Sequence, residues 1–122
     1  LYEDNSAAYL RFLGIALQRM RIDDGLVWTW VLREDLAASG VDITETDDLI
    51  DVVRTAREAS VAAVVKQQRD GRFKVSLRSR GDRDVAAIAA RFGGGGHRLA
   101  AGYTSDADLE GTVAALRAAL AG

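Results

Sequence analysis

The 122-residue chain has no cysteine, no proline and a single histidine. Without cysteine there is no disulfide framework and no thiolate metal site. One histidine supplies neither a histidine-rich metal cluster nor a Ser-His-Asp arrangement for covalent catalysis. No apolar run approaches the roughly 20 residues of a membrane-spanning helix, and no signal-peptide pattern opens the chain. A cytoplasmic protein without membrane partners is expected. A cationic excess is also lacking: 16 Lys and Arg against 18 Asp and Glu leave a formal charge of −2. That balance excludes a generic polyanion-binding surface but leaves room for a small local phosphate site, so any nucleic-acid contact is short.

What is present is 48% hydrophobic and 28% charged, enough for one domain with a real core. The chain begins at Leu1 rather than a methionine, which points to a piece of a longer polypeptide with its function split accordingly. From a cap at Ser6, residues Tyr9, Phe12, Leu13, Ala16, Leu17 and Met20 repeat at helical spacing, with Leu10 and Ile15 on a second face suited to a former domain contact. Asp23-Asp24-Gly25 is turn chemistry leading into Leu26–Leu32, a strand buried on both faces, whose Trp28 and Trp30 share one face and read as core before base-stacking platform. A short helix over Glu34–Ser39 ends at Gly40. Another, capped by Thr44, carries the stripe Leu49, Ile50, Val53 and Ala56, and its acidic first turn, Glu45 to Asp48, reads as a solvated, dipole-complementing face.

Val61–Val65 is a second buried strand, and Asp70-Gly71 turns it into a hairpin with residues 72–79. There the period of two sets Phe73, Val75 and Leu77 against Arg72, Lys74, Ser76 and Arg78. Asp84 to Phe92 is a short amphipathic helix; Ala101–Thr104 adds a strand; a final helix, capped at Ser105 or Asp106, carries Leu109, Val113, Leu116 and Leu120. Interleaved helices and strands with a tight hairpin predict an α/β fold of two or three layers around a small mixed sheet.

The stretch that asks for a purpose is Gly93-Gly94-Gly95-Gly96-His97-Arg98. One glycine suffices to end a helix, and each further one costs about 0.5–1 kcal/mol of chain entropy. A side-chain-free backbone brings N–H groups against an anion, and a short helix opening near His97 would aim its positive end at the same place. The loop is expected to return to the sheet edge that presents Ser76 and Arg78. A β-branched residue at Gly95 would block such a cradle and resist a positive φ. Guanidinium binds phosphate bidentately, and a nearby dianion favours the charged, donating imidazole, so the sum is an anion clamp.

Phe92-Gly93-Gly94-Gly95-Gly96-His97 with Ala100-Ala101-Gly102, preceded by Val75-Ser76-Leu77-Arg78-Ser79, resembles the DHHA1 domain of DHH-family phosphoesterases, in the oligoribonuclease and 3′-phosphoadenosine-5′-phosphate phosphatase branch. The likeness runs from the helix near Tyr9 to the last helix. It implies that residues 1–22 are a linker and packing helix following a DHH catalytic domain, and that residues 23–122 form the substrate-binding domain. The manganese pair that activates water would sit in the DHH domain in cis, with no metal or cofactor in this chain. By the same resemblance Arg78, Ser76 and Ser79 hold a terminal phosphate, Gly94, Gly95 and Gly96 offer N–H groups, Arg98 assists, and His97 faces the scissile phosphate, catalytic only beside the DHH domain. Partners are then short oligoribonucleotides or phosphorylated nucleotides, with a homodimer as a further option. A RecJ-like exonuclease module and a protein-association module are the alternatives; the related C-terminal domain of alanyl-tRNA synthetase typically lacks the histidine after its glycines.

Overall fold

Helical periodicity after Ser6 becomes α1 (Ala7–Gln18) in the computed structural model, which describes residues 5–122. The Ser6 hydroxyl caps it, accepting the Tyr9 N–H at 3.0 Å, and Tyr9, Phe12 and Ala16 are buried. Leu10 and Ile15 stay half-exposed, at 51% and 50%. Asp24 and Gly25, both at positive φ (51° and 79°), form a two-residue hairpin turn whose twist matches that of the strands it joins. The first of these, β1 (Arg21–Asp23), escaped the sequence pattern because its three residues are all exposed and carry no alternation. The second is the expected β2 (Leu26–Val31).

Beyond β2 the chain forms α2 (Arg33–Ser39), a 3₁₀ turn (Ile43–Thr46) and α3 (Leu49–Val53). Asp42, not Thr44, starts the 3₁₀ turn: its N–H donates to Glu45 Oε2 at 2.8 Å, and the Thr44 hydroxyl donates to Asp42 Oδ2 at 2.6 Å. Next come β3 (Val61–Gln67), β4 (Phe73–Ser79), α4 (Val85–Ala90), β5 (Gly95–His97), β6 (Ala100–Ser105) and α5 (Leu109–Ala121). The cap of α5 is Asp108, which accepts the Gly111 N–H at 2.8 Å, while Ser105 is occupied by Ala107 N–H and the Thr112 hydroxyl.

The sheet order is β1-β2-β3-β4-β6-β5, with β2 and β3 parallel and the other pairs antiparallel. It is the expected mixed sheet, in the three-layer form. On one face α4 and α5 cover Leu26, Trp28, Ala63, Val65, Phe73, Val75, Leu77 and Tyr103. On the other, α1 to α3 pack Tyr9, Phe12, Leu36, Leu49, Ile50 and Val53 onto Val27, Val31, Ala62 and Val64. Each such aliphatic side chain contributes about 1.5–3 kcal/mol when fully buried. The apolar packing of this second layer ends at β3: α3 reaches β4, but no residue of β4, β5 or β6 belongs to its core. One face of those three strands is therefore left without an apolar cover, its residues half-buried or exposed.

Candidate functional site: the uncovered sheet face

Burial along β4 follows its alternation: Phe73, Val75, Leu77 and Ser79 are buried, whereas Lys74, Ser76 and Arg78 face the uncovered side. The antiparallel registers extend these positions into rows. Arg78 stands opposite Ala100, and Ala100 opposite His97; Ser76 stands opposite Gly102, and Gly102 opposite Gly95. Directly opposed residues share a face. Ser76, Arg78, Gly95 and His97 thus border one hollow, floored by Ala100 and Gly102. Two inter-strand spacings, about 10 Å, separate the Arg78 and His97 backbones, a width that an anion spans with donors on both sides. Arg78 is half-buried; its Nη1 donates to the Leu77 carbonyl at 2.9 Å, and it enters no ion pair among the described residues.

Two residues expected here lie elsewhere. Ser79 is the last residue of β4 but keeps to the α4 face, 2% exposed, where its Oγ accepts the Gly81 and Arg83 N–H groups at 3.1 and 3.3 Å. It shapes the 80–84 loop. Arg98 sits at the tip of the β5–β6 hairpin, its Nη1 donating to the Gly81 carbonyl at 2.8 Å and its own carbonyl accepting the Val85 N–H at 2.9 Å. The Ser79 N–H donates to the Leu99 carbonyl at 2.9 Å, so this tip is tied to the end of β4.

The glycines separate into roles. Gly93, at φ 81°, ends α4 with Gly94 N–H donating to Ala89 O and Gly93 N–H to Ala90 O, the paired bonds of a left-handed helix cap. No helix opens at His97, contrary to expectation; the chain enters β5, because Gly94 and Gly96 let its backbone lie directly on β6. A Cβ at Gly94 would collide with the Gly102 carbonyl and approach Tyr103 Cβ to 2.5 Å; one at Gly96, itself at φ 144°, would come 2.6 Å from Ala101 Cα. Gly95 shares none of these reasons. Its φ lies outside the left-handed region and nothing stands within 4 Å of a Cβ built on it, so the expected backbone resistance to a β-branched residue is absent. As an edge strand, β5 also turns alternate N–H groups away from β6. Beneath it, the Tyr103 ring stacks on Phe92 at 4.7 Å and holds the end of α4 to β6; burial pushes its phenol up to about 12.

Sequence reasoning missed Gly102 and Ala100 as the floor, since their place depends on a β4–β6 register that no local pattern encodes. At the far end of the sheet and on its other face, a 390 Å³ cleft is lined by Trp28, Trp30, Arg21 and Arg117 among others. Trp28 is 8% exposed, as a core residue, and its ring is covered by the Arg117 guanidinium at 5.4 Å, which ion-pairs Asp23 at 2.6 Å. Trp30 is only half-buried.

The sequence model of the DHHA1 domain matches residues 30–122. The chain belongs to the DHHA1 family. This DHHA1 domain is 38% identical over 98 residues, 80% of its length, to the bifunctional oligoribonuclease and PAP phosphatase NrnA of Thermus thermophilus, of which it spans 29%. An exopolyphosphatase-related protein from Bacteroides fragilis superposes on 98% of the DHHA1 chain with a TM-score of 0.89 at 22% identity, over 36% of that protein. The pGpG-specific phosphodiesterase PggH of Vibrio cholerae superposes on 93% with a TM-score of 0.59 at 12% identity, over 39% of its own chain. At those identities the structural likeness concerns the fold alone. The domain spans about a third of the length of each of these relatives.

Proposed function

We propose that the hollow between Arg78 and His97 holds a phosphate of a short oligoribonucleotide or phosphorylated nucleotide, and that this domain is the substrate-binding half of a phosphoesterase with a DHH domain in the same polypeptide. Arg78 supplies the bidentate fork and Ser76 a hydroxyl. His97 donates to a phosphate oxygen at the side where the DHH domain closes. Leu10 and Ile15 offer that domain an apolar face. The observation that carries this reading is Gly95, whose missing side chain serves no turn, φ or packing requirement of the fold, yet which lies in the row of Ser76 and Gly102, two residues before His97 on β5, on the face without apolar cover. The relationship to the oligoribonuclease and PAP phosphatase supports the substrate class over the association alternative.

Among the described residues no group of three or more His, Cys, Asp or Glu side chains could hold a metal ion. The manganese pair implied by the resemblance does not fit them, and in this reading its ligands belong to the DHH domain. Without an activated nucleophile the domain positions substrate and nothing more. Titrating the isotope-labelled 122-residue chain with adenosine monophosphate should shift the amides of β4, β5 and β6 around Ser76, Arg78, Gly95 and His97. The same chain with manganese and a 5′-phosphorylated oligoribonucleotide should give no hydrolysis. Shifts centred on the Trp28 and Trp30 cleft, or turnover above background in a nuclease-free preparation, overturn the assignment.

A further inference from the structure

The bare face does not end at Ser76. Two residues further along β4 stands Lys74, exposed and outside every ion pair among the described residues. It is register partner to Lys66 on β3 and to Thr104 on β6, so two lysines oppose each other directly on one face. Like charges placed this way destabilise a sheet. Only one of them is compensated: Lys66, 6% exposed, has its Nζ 3.1 Å from Asp47 Oδ1, whose side chain is 73% exposed. A 210 Å³ cleft, lined by Asp47, Lys66, Gln68 and Lys74 with Ile43 and Thr44 of the 3₁₀ turn, lies between these groups. The intervening row is Ser76, Gly102 and Gly95, two of which carry no side chain.

From this alignment we infer that Lys74, with Lys66 behind it, forms a second anion subsite that engages a downstream phosphate of a single-stranded oligonucleotide whose first phosphate lies at Arg78. The inference rests on the reading of the Arg78–His97 hollow given above. Lys74 and Arg78 stand four residue steps apart on β4, about 14 Å of strand. That is farther than one nucleotide reaches, and it makes chain length the property being read. Asp47 moderates the subsite by holding one of its two charges.

The test compares adenosine monophosphate with 5′-phosphorylated triadenylate, bound to the 122-residue chain at several salt concentrations. The trinucleotide should bind about threefold or more tighter, since an exposed charge pair contributes a modest increment. Lys74→Ala should erase most of that ratio and lower the slope of log affinity against log salt for the trinucleotide by about 0.7, the share of one neutralised phosphate on a single strand. Asp47→Asn should raise trinucleotide affinity, a gain that misfolding does not mimic. An unaltered ratio in Lys74→Ala, an equal loss for both ligands, or weaker trinucleotide binding by Asp47→Asn overturns the second subsite. Arg78→Ala reports on the hollow itself: undiminished binding of both ligands removes the first site, whatever Lys74 does.

Discussion

Alanine scanning of the glycine run separates the glycines that build the fold from the one proposed to serve a ligand. Gly96→Ala places a Cβ 2.6 Å from Ala101 Cα and 2.7 Å from the Ala100 carbonyl, at a φ of 144° that side chains avoid. The backbone strain alone costs about 1–3 kcal/mol, and the contact adds a further overpacking penalty of similar size. Gly94→Ala drives its methyl into the Gly102 carbonyl, with the same consequence. Gly95→Ala meets nothing within 4 Å at an ordinary φ, so it stabilises the domain by about 0.4–1 kcal/mol through the unfolded chain. Urea unfolding of the three variants should therefore place Gly95→Ala above wild type and the other two at least about 2 kcal/mol below it. Calorimetric titration with adenosine monophosphate should move Gly95→Ala in the opposite direction: a well-folded protein whose affinity falls about tenfold or more, because a methyl stands where phosphate meets backbone. Full affinity in a stable Gly95→Ala chain would mean that the bareness at this position is unrelated to ligand, and the hollow would lose its main support.

Arg78→Lys should weaken adenosine monophosphate binding beyond what its retained charge suggests, since an ammonium cannot reproduce the guanidinium fork, while unfolding free energy stays within about 0.5–1 kcal/mol; calorimetry and urea titration read the two. Tyr103→Phe removes a buried hydroxyl with no hydrogen-bond partner among the described residues and should stabilise the domain by about 1 kcal/mol. Because burial holds this phenol at about 12, above its unfolded value near 10, wild-type stability should fall between pH 10 and 12, a loss that Tyr103→Phe lacks in alkaline unfolding curves. Burial works to raise the Asp35 carboxyl, but the Arg19 fork (2.6 and 3.0 Å) and the Leu32 N–H (2.7 Å) outweigh it and hold its pKa below the ordinary value. Its stabilisation is thus present above about pH 4 and is lost on acidification through the folded-state value, so Asp35→Asn should destabilise at pH 7 and converge on wild type in acid.

Local rules carried much of this protein. Tyr9, Phe12 and Ala16 announced α1; the Val61–Val65 run and Asp70-Gly71 announced the β3–β4 hairpin; the alternation of Phe73, Val75 and Leu77 with Ser76 and Arg78 already divided β4 into a core face and a free one. Periodicity and turn chemistry are written within a few residues, so the chain alone determines them. The bareness of that free face is another matter. It depends on α1 to α3 ending their apolar packing at β3, and on β6 inserting between β4 and β5 so that Gly102 and Gly95 line up with Ser76. Strand order and register are settled by contacts between distant segments, which no window of sequence contains. The sequence showed that four consecutive glycines were more than a helix cap needs; only tertiary packing, through the collisions a Cβ would make at Gly94 and Gly96 and the open space above Gly95, decided which one the fold itself does not require.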